Sequence, residues 1–383
     1  MSDSPLTSGS LLAYGFSTPK MAEIFSPASF VVSMLRFESE LARALGDADV
    51  APSEQAELVA EACEAGHHDA ASILEATWES GSPVIALVQW VENQIDDEEA
   101  KHWVHRGATT QDVVDTAQML MARSGLQALE TSLTESARLL VEILGQQRDT
   151  PQMGRTFLQH AIPTSFGARL ARWIDSILGH IVAFRRLRGS LAVQLGGPVG
   201  DLASYGAKGL AVRDALARRL ELDSPDVSWH TDRTRVRAIS DSVSRMVASL
   251  AKIAMDVVLL AQSDTAEVRV RAGGSSSMKH KRNPIDPMRA LAASDVSRGA
   301  AGILSQARPH ELERGAGGWQ AEWVALPLLF ESAAAVCDAI EATFRFLDVD
   351  EEAMSGRVDE PATIDDSQID RVIEKYNEIV GEA

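Results

Sequence analysis

The 383-residue sequence predicts an all-α fold, a bundle of long helices, and three observations predict it. A heptad-type apolar stripe runs through residues 234–262, with Val236, Ile239, Val243, Met246, Leu250, Ile253, Val257 and Leu260 at alternating steps of three and four. Two more segments, 110–145 and 166–190, keep apolar residues to one helical face. Val, Ile and Thr do not gather into alternating runs, so no strand series is expected.

Taken in chain order, the first long helix covers 110–145, has no proline, and carries Val114, Ala117, Met121, Leu129, Leu133, Leu140 and Leu144. The second places Leu170, Trp173, Ile177, Ile181, Phe184 and Leu187 together. The heptad helix follows and would be about 40 Å long at 1.5 Å per residue. Residues 319–347 form a fourth, which Pro327 should start or kink. One short helix, about 366–380, closes an acidic and polar tail. Glycines mark the connections: Gly196, Gly197 and Gly200, then Gly273 and Gly274, then Gly315, Gly317 and Gly318. Helices of this length suggest a bundle shared between chains. The chain divides loosely into an N-terminal helical domain (1–100), a central long-helix domain (101–348) and a short C-terminal helical segment (349–383).

Composition narrows the function. With 45% apolar and 24% charged residues the chain is an ordinary globular protein. Thirty-six basic residues face 55 acidic ones, a net charge of -19, which disfavours nucleic acid. No uncharged apolar run reaches the ~18 residues a membrane span needs, and the first residues lack the basic and apolar regions of a secretory signal. Cys63 and Cys337 make no disulfide framework, and a cytoplasmic location is expected. Neither a Cys/His ligand set nor a phosphate loop is present, so no metal or cofactor is expected.

The richest string is GGSSSMKHKRNP, residues 273–284. It brings hydroxyls, backbone N–H groups, Lys279, His280, Lys281 and Arg282 together on a glycine-flanked loop, suited to closing over a polyanion. By composition alone a solvated linker is the simpler reading. The order of its residues is more specific. It resembles the signature loop of the fumarase/aspartase superfamily, G-S-S-x-M-P-x-K-x-N-P, matching at Gly274, Ser275, Ser276, Met278, Lys281, Asn283 and Pro284 and departing at Lys279. His105 to Asp112 (HRGATTQD) and Arg155 to Thr164 (RTFLQHAIPT) resemble the other two shared regions of that superfamily, about 50 residues apart and in the right order. Fumarases and adenylosuccinate lyases carry Thr-His in the second of these, where this chain has Phe157. Gln159-His160-Ala161 with Pro163, Trp229 to Arg233 (WHTDR) and Glu313 to Trp323 (ERGAGGWQAEW) are instead similar to bacterial 3-carboxy-cis,cis-muconate cycloisomerases.

That resemblance implies lactonisation, a step of protocatechuate breakdown in the β-ketoadipate pathway. A carboxylate of the substrate adds to a double bond of the same molecule, and a proton goes to the carbon alpha to another carboxylate. It implies Ser275 as general base or acid, and Lys281 and Asn283 as holders of substrate carboxylates and of the aci-anion. Ser276 and Met278 would contact substrate from the same loop. His160 is implied as acid/base or carboxylate clamp, with a core histidine as the alternative. Thr109, Thr110 and Gln159 are candidate hydrogen-bond donors, and His105 either orients Thr109 or touches substrate. Arg233 and Arg314 are candidate bidentate clamps, the alternative being salt bridges across the bundle. The resemblance further implies a homotetramer whose sites draw on three chains, a small polycarboxylate substrate and no cofactor. Lys279 leaves room for a related substrate, such as a sulfonated muconate, or for another fumarate-forming elimination. A catalytically silent structural tetramer is the reading of a different class.

Overall fold

The computed structural model describes residues 15–65, 69–274, 277–278, 281–306, 310–358 and 366–381. Seven short and medium helices come first: α1 (Pro19–Ile24), α2 (Pro27–Asp47), α3 (Ser53–Glu64), α4 (Ala70–Glu75), α5 (Thr77–Ser80), α6 (Pro83–Glu92) and α7 (Glu98–Lys101). Three of them, α1, α2 and α6, start the same way. Thr18, Ser26 and Ser82 each accept a hydrogen bond from a first-turn N–H, and the next residue is proline, whose missing N–H is no loss there.

The long elements follow. Helix α8 (Thr110–Gln147) leads into a hairpin, β1 (Pro151–Thr156) and β2 (Gln159–Ser165), which returns to α9 (Phe166–Arg188). Then come α10 (Gly209–Leu220), α11 (Thr234–Leu260) and the two-residue strands β3 (Val268–Arg269), β4 (Ala272–Gly273) and β5 (Asn283–Pro284). Helices α12 (Ile285–Gln306) and α13 (Gly318–Arg345), strand β6 (Asp348–Val349), α14 (Glu351–Ser355) and α15 (Ser367–Val380) complete the chain. The heptad residues Val236 to Leu260 all lie in the core, on a helix that packs against α9, α12 and α13. Helix α12 packs on α13 through small residues, Ala290, Ala293, Ser294, Ser297 and Ala300. Gly125 of α8 has a packing role: a Cβ there would sit 2.8 Å from the Phe330 ring, which stacks on Phe25 at 4.8 Å. Phe330 is fully buried, so truncating it to alanine would cost about 3–5 kcal/mol.

The long-helix architecture expected from the sequence is present, with two corrections. Three two-stranded antiparallel pieces occur: β1–β2, β3–β6 and β4–β5. The first is a hairpin with Thr156 opposite Gln159, so Phe157 and Leu158 form a two-residue turn with φ of 50° and 63°. Such turns normally carry Asn-Gly or Asp-Gly, and without that signal the hairpin is silent in the sequence. Pro327 lies within α13 rather than at its start and removes one backbone donor there. Helix α13 is long and apolar enough to cross a bilayer, yet most of it is buried among the other helices, as in a core helix.

Two ends matter for function. At 1.5 Å per residue the 38-residue α8 is about 57 Å long and the 27-residue α11 about 40 Å. The segments next to their termini carry the motif regions.

Candidate active site

The segment HRGATTQD stands at the α8 N-terminus. Asp112 is fully buried and accepts four hydrogen bonds there: from the N–H groups of Thr109 (3.0 Å), Gly196 (3.0 Å) and Gly197 (2.9 Å), and from His230 Nε2 (2.7 Å). The glycines are required by this approach. A Cβ on Gly196 would lie 2.7 Å from Ser228, and Gly197 has a φ of +75°. One turn further, Asp115 accepts from Arg233 Nη1 (2.7 Å) and Nη2 (2.9 Å), Trp319 Nε1 (2.9 Å) and Gln111 Nε2 (3.0 Å). Arg233 also donates to Glu322 (Nη2 to Oε2, 2.6 Å) and lies over the Trp229 ring at 5.0 Å. The strings WHTDR and ERGAGGWQAEW therefore converge on the first motif within one chain.

This geometry changes the roles of the two arginines. Arg233 is buried between two carboxylates. Burial alone would lower its pKa, but Asp115 and Glu322 outweigh it and hold the guanidinium above its ordinary range. It forms a salt bridge across the bundle, with its donors engaged by Asp115 and Glu322. Arg314 is half-buried and donates to Gln111 Oε1 (2.8 Å) and Pro198 O (2.8 Å), both neutral acceptors. Burial lowers its pKa from the usual arginine value, and Asp112 and Asp115 oppose that. It presents a positive charge at the rim of a buried, acidic network.

The other residues predicted for this end are near it. His105 Nδ1 bonds Glu38 Oε1 at 2.6 Å; burial lowers its pKa, but the Glu38 charge and hydrogen bond raise it more, and the net shift is upward. Thr110 Oγ1 lies 3.1 Å from Ser82 Oγ, and Thr109 and Thr110 are both half-buried. His310, absent from the sequence reading, is packed against Gly315 with Nε2 3.8 Å from Glu322 Oε1, and its ring nitrogens make no hydrogen bond among the described residues. Its only sequence signal is its place just before ERGAGGWQAEW.

The remaining motif residues are at the opposite end. Gln159 and His160 are exposed on β2, just after the turn whose tip, Phe157, is 100% exposed. His160 is therefore no core histidine. It lines a cleft of about 330 Å³ with Arg155, Arg169, Asp256 and Thr265. Glu267, fully buried, anchors the hairpin by accepting from Gln152 (2.8 Å) and Arg155 (Nη1, 3.2 Å). The loop of the signature string leaves from the same end. Gly273 pairs with Asn283 across β4–β5, and Arg271 Nε bonds Asp286 at 2.9 Å, so the base of the loop is closed. Lys281 and Met278 are exposed and Asn283 is half-buried. Ser275 and Ser276, like Lys279 and His280, lie outside the described residues.

One chain thus brings together Thr109, Thr110, His105, Arg233 and Arg314 at one end, and Gln159, His160, Lys281 and Asn283 at the other, separated by the length of α8. Among the described residues no group of three or more His, Cys, Asp or Glu side chains is placed to hold a metal ion.

The sequence profile of a family described as Lyase matches residues 13–293. The chain is 37% identical to a 3-carboxy-cis,cis-muconate cycloisomerase of Bradyrhizobium diazoefficiens, over 91% of this chain and 79% of that protein. It is 38% identical to another of Pseudomonas aeruginosa, over 83% and 70%. Its structure is similar to that of the 3-carboxy-cis,cis-muconate lactonizing enzyme of Pseudomonas putida, with a TM-score of 0.84 at 34% identity, covering 91% of this chain and 79% of that one.

Proposed function

The chain belongs to the lyase family, and from that premise we propose that it is a 3-carboxy-cis,cis-muconate cycloisomerase acting as a homo-oligomer. The observation that carries the reading is the joint likeness, in sequence and in structure, to enzymes that lactonise this one substrate. A cytoplasmic location and the three-part division of the chain at about 100 and 348 belong to the same proposal.

In this reading one carboxylate of the substrate attacks its own double bond and closes the lactone ring. The proton is delivered alpha to a second carboxylate, through an aci-carboxylate bearing an extra negative charge. Lys281, Asn283 and Arg314 meet that charge, Thr109, Thr110 and Gln159 hold carboxylates by hydrogen bonds, and Ser275 or His160 moves the proton. Loop closure over the tricarboxylate removes water and strengthens each of these contacts.

The length of α8 supports an interchain site. About 57 Å of rigid helix keeps Thr110 from His160 in any one chain, so their meeting requires antiparallel association with a partner. The hairpin tip is built for contact, with Phe157, Leu158 and Ile162 all largely exposed. A tetramer extends this to three contributing chains.

The test is the ultraviolet absorbance of 3-carboxy-cis,cis-muconate, whose conjugated diene is lost on lactonisation. Purified protein should bleach it, and Ser275→Ala should abolish the bleaching. Mixing inactive Thr110→Ala with inactive His160→Ala, after dissociation and reassociation, should restore part of the activity. No bleaching by a well-assembled sample would refute this substrate and turn the search to sulfomuconate and fumarate-forming eliminations. Bleaching without recovery in the mixture would refute the interchain site alone.

A further inference from the structure

A large cleft among the described residues lies away from both motif ends. It opens between α1, α8 and the C-terminal end of α9, measures about 1040 Å³, and is lined by Lys20, Arg123, Arg185 and Arg188. Arg123 lies thirteen residues along α8 from Thr110, roughly 20 Å from the first motif. Four cations facing one cleft stand out in a chain of net charge -19.

Their neutralisation is incomplete. Arg185 and Arg188 share one carboxylate, Glu130, at 2.8 and 3.1 Å. Arg123 Nη1 donates to the carbonyls of Leu220 (3.0 Å) and Glu221 (2.8 Å), which fix the guanidinium without cancelling its charge. Among the described residues the one carboxylate paired with it is Glu221, at 3.6 Å and 79% exposed, where solvent screens the attraction. Lys20 pairs with Glu23 on an exposed helical turn at 3.1 Å. Burial depresses the Arg123 pKa, and the neighbouring charges of Arg36 and Arg188 depress it further while Glu221 opposes them, so like charges are held close together here. Between these cations the wall offers the hydroxyls of Thr18 and Ser132 and the amide of Gln127, while those of Ser124 and Thr131 donate to the carbonyls of Leu120 and Gln127.

We infer that this cleft binds a small polyvalent anion, a polycarboxylate or a phosphate compound, at a site separate from the reaction centre. An anion with two or more charged groups can span Arg123 on one side and the Arg185–Arg188 pair on the other, while the hydroxyls complete its shell. The inference does not depend on the substrate proposed above.

Isothermal titration of the full-length protein at fixed ionic strength tests it, with citrate and pyrophosphate as probes. Saturable binding of about one equivalent per chain is expected from at least one of them. It should persist in Lys281→Ala, which disables the reaction loop, and weaken roughly tenfold or more in Arg123→Gln and in Arg188→Gln, as loss of a charge-assisted hydrogen bond predicts. Ser132→Ala, which removes no buried charge, gives a milder weakening and guards against misfolding of the arginine variants. Tighter binding of citrate assigns the site to carboxylates, and tighter binding of pyrophosphate to phosphates. No saturable binding of either probe overturns the inference. So does binding that is lost in Lys281→Ala yet unchanged in the arginine variants.

Discussion

Arg233→Leu is the substitution that separates the two readings of the first motif most sharply. In the structure this guanidinium is sealed between Asp115 and Glu322, with donor–acceptor distances of 2.6 to 3.2 Å. Removing it leaves two buried carboxylates facing each other, and the remaining donors among the described residues, Trp319, Gln111 and Gln194, all serve Asp115. Breaking a buried pair by deleting one partner costs about 3–5 kcal/mol, and two carboxylates share this cation, so the upper half of that range is expected. Urea unfolding at a fixed protein concentration measures it, because association contributes to apparent stability. Tryptophan fluorescence is a suitable probe, since Trp229 stacks on Arg233 and Trp319 bonds Asp115. Arg233→Lys should recover only part of the loss, because one ammonium cannot reproduce the planar fork across two carboxylates. A stability loss under about 1 kcal/mol, the range of an exposed pair, together with a large rise in KM and unchanged kcat, would refute the structural role and restore Arg233 as a substrate clamp.

Three further outcomes are expected. His105 has a folded pKa raised above 6.5, so its pairing with Glu38 stabilises fully below that pH and fades as pH rises through the folded value; the stability difference between wild type and His105→Gln should shrink from pH 6 to pH 8.5 in urea melts. His180 behaves oppositely: burial first, and then Arg245, push its pKa down to about 4, so the unfolded chain takes up a proton that the folded one refuses between about pH 6.5 and 4, and His180→Gln should flatten the acid loss of stability over that window. Phe157→Ser should weaken self-association, by up to about 2–3 kcal/mol per chain if the ring is buried on assembly, while circular dichroism stays the same; sedimentation velocity showing unchanged assembly would exclude the hairpin tip from the interface.

The long helices were legible because each is decided by its own period. The stripe read at 234–262 is α11 at Thr234–Leu260, and the segments at 110–145 and 166–190 are α8 and α9 within two residues at each end. The hairpin was not legible, because its turn uses Phe157 and Leu158 at positive φ, where local preference would ask for Asn and Gly. Tertiary context overrides that preference, through the buried Glu267 that ties Arg155 and Gln152 to the chain after α11. The site was legible as strings and not as partnerships. Arg233 and Arg314 look alike in sequence, and only packing shows that one has two carboxylates and the other has carbonyl-type acceptors alone. His310 was missed for a related reason: nothing in its neighbours along the chain says that Glu322 and Gly315 will enclose it.

The two ends of the chain are built for different tasks, and the difference follows from the chemistry proposed. At the α8 N-terminus Asp112 and Asp115 together accept from three backbone N–H groups, a histidine, an arginine, a tryptophan and two glutamines, which leaves little freedom to any segment they join. That end is a rigid platform, and a platform serves to fix carboxylates before the reaction begins, when reorganisation would raise the barrier. At the other end the base of the hairpin is tied to Glu267 and the base of the signature loop is held by the Arg271–Asp286 pair. The reaction proposed above asks this loop to admit a tricarboxylate and then close on it. Placing both functions at one end of a single chain would force the platform and the closing loop to share the same anchors. In the proposed assembly long antiparallel helices avoid that conflict, because association would set one chain's platform against another chain's loop end. On this argument, stiffening the loop base should slow substrate entry without disturbing the platform, and loosening the platform should lower kcat in every substrate orientation.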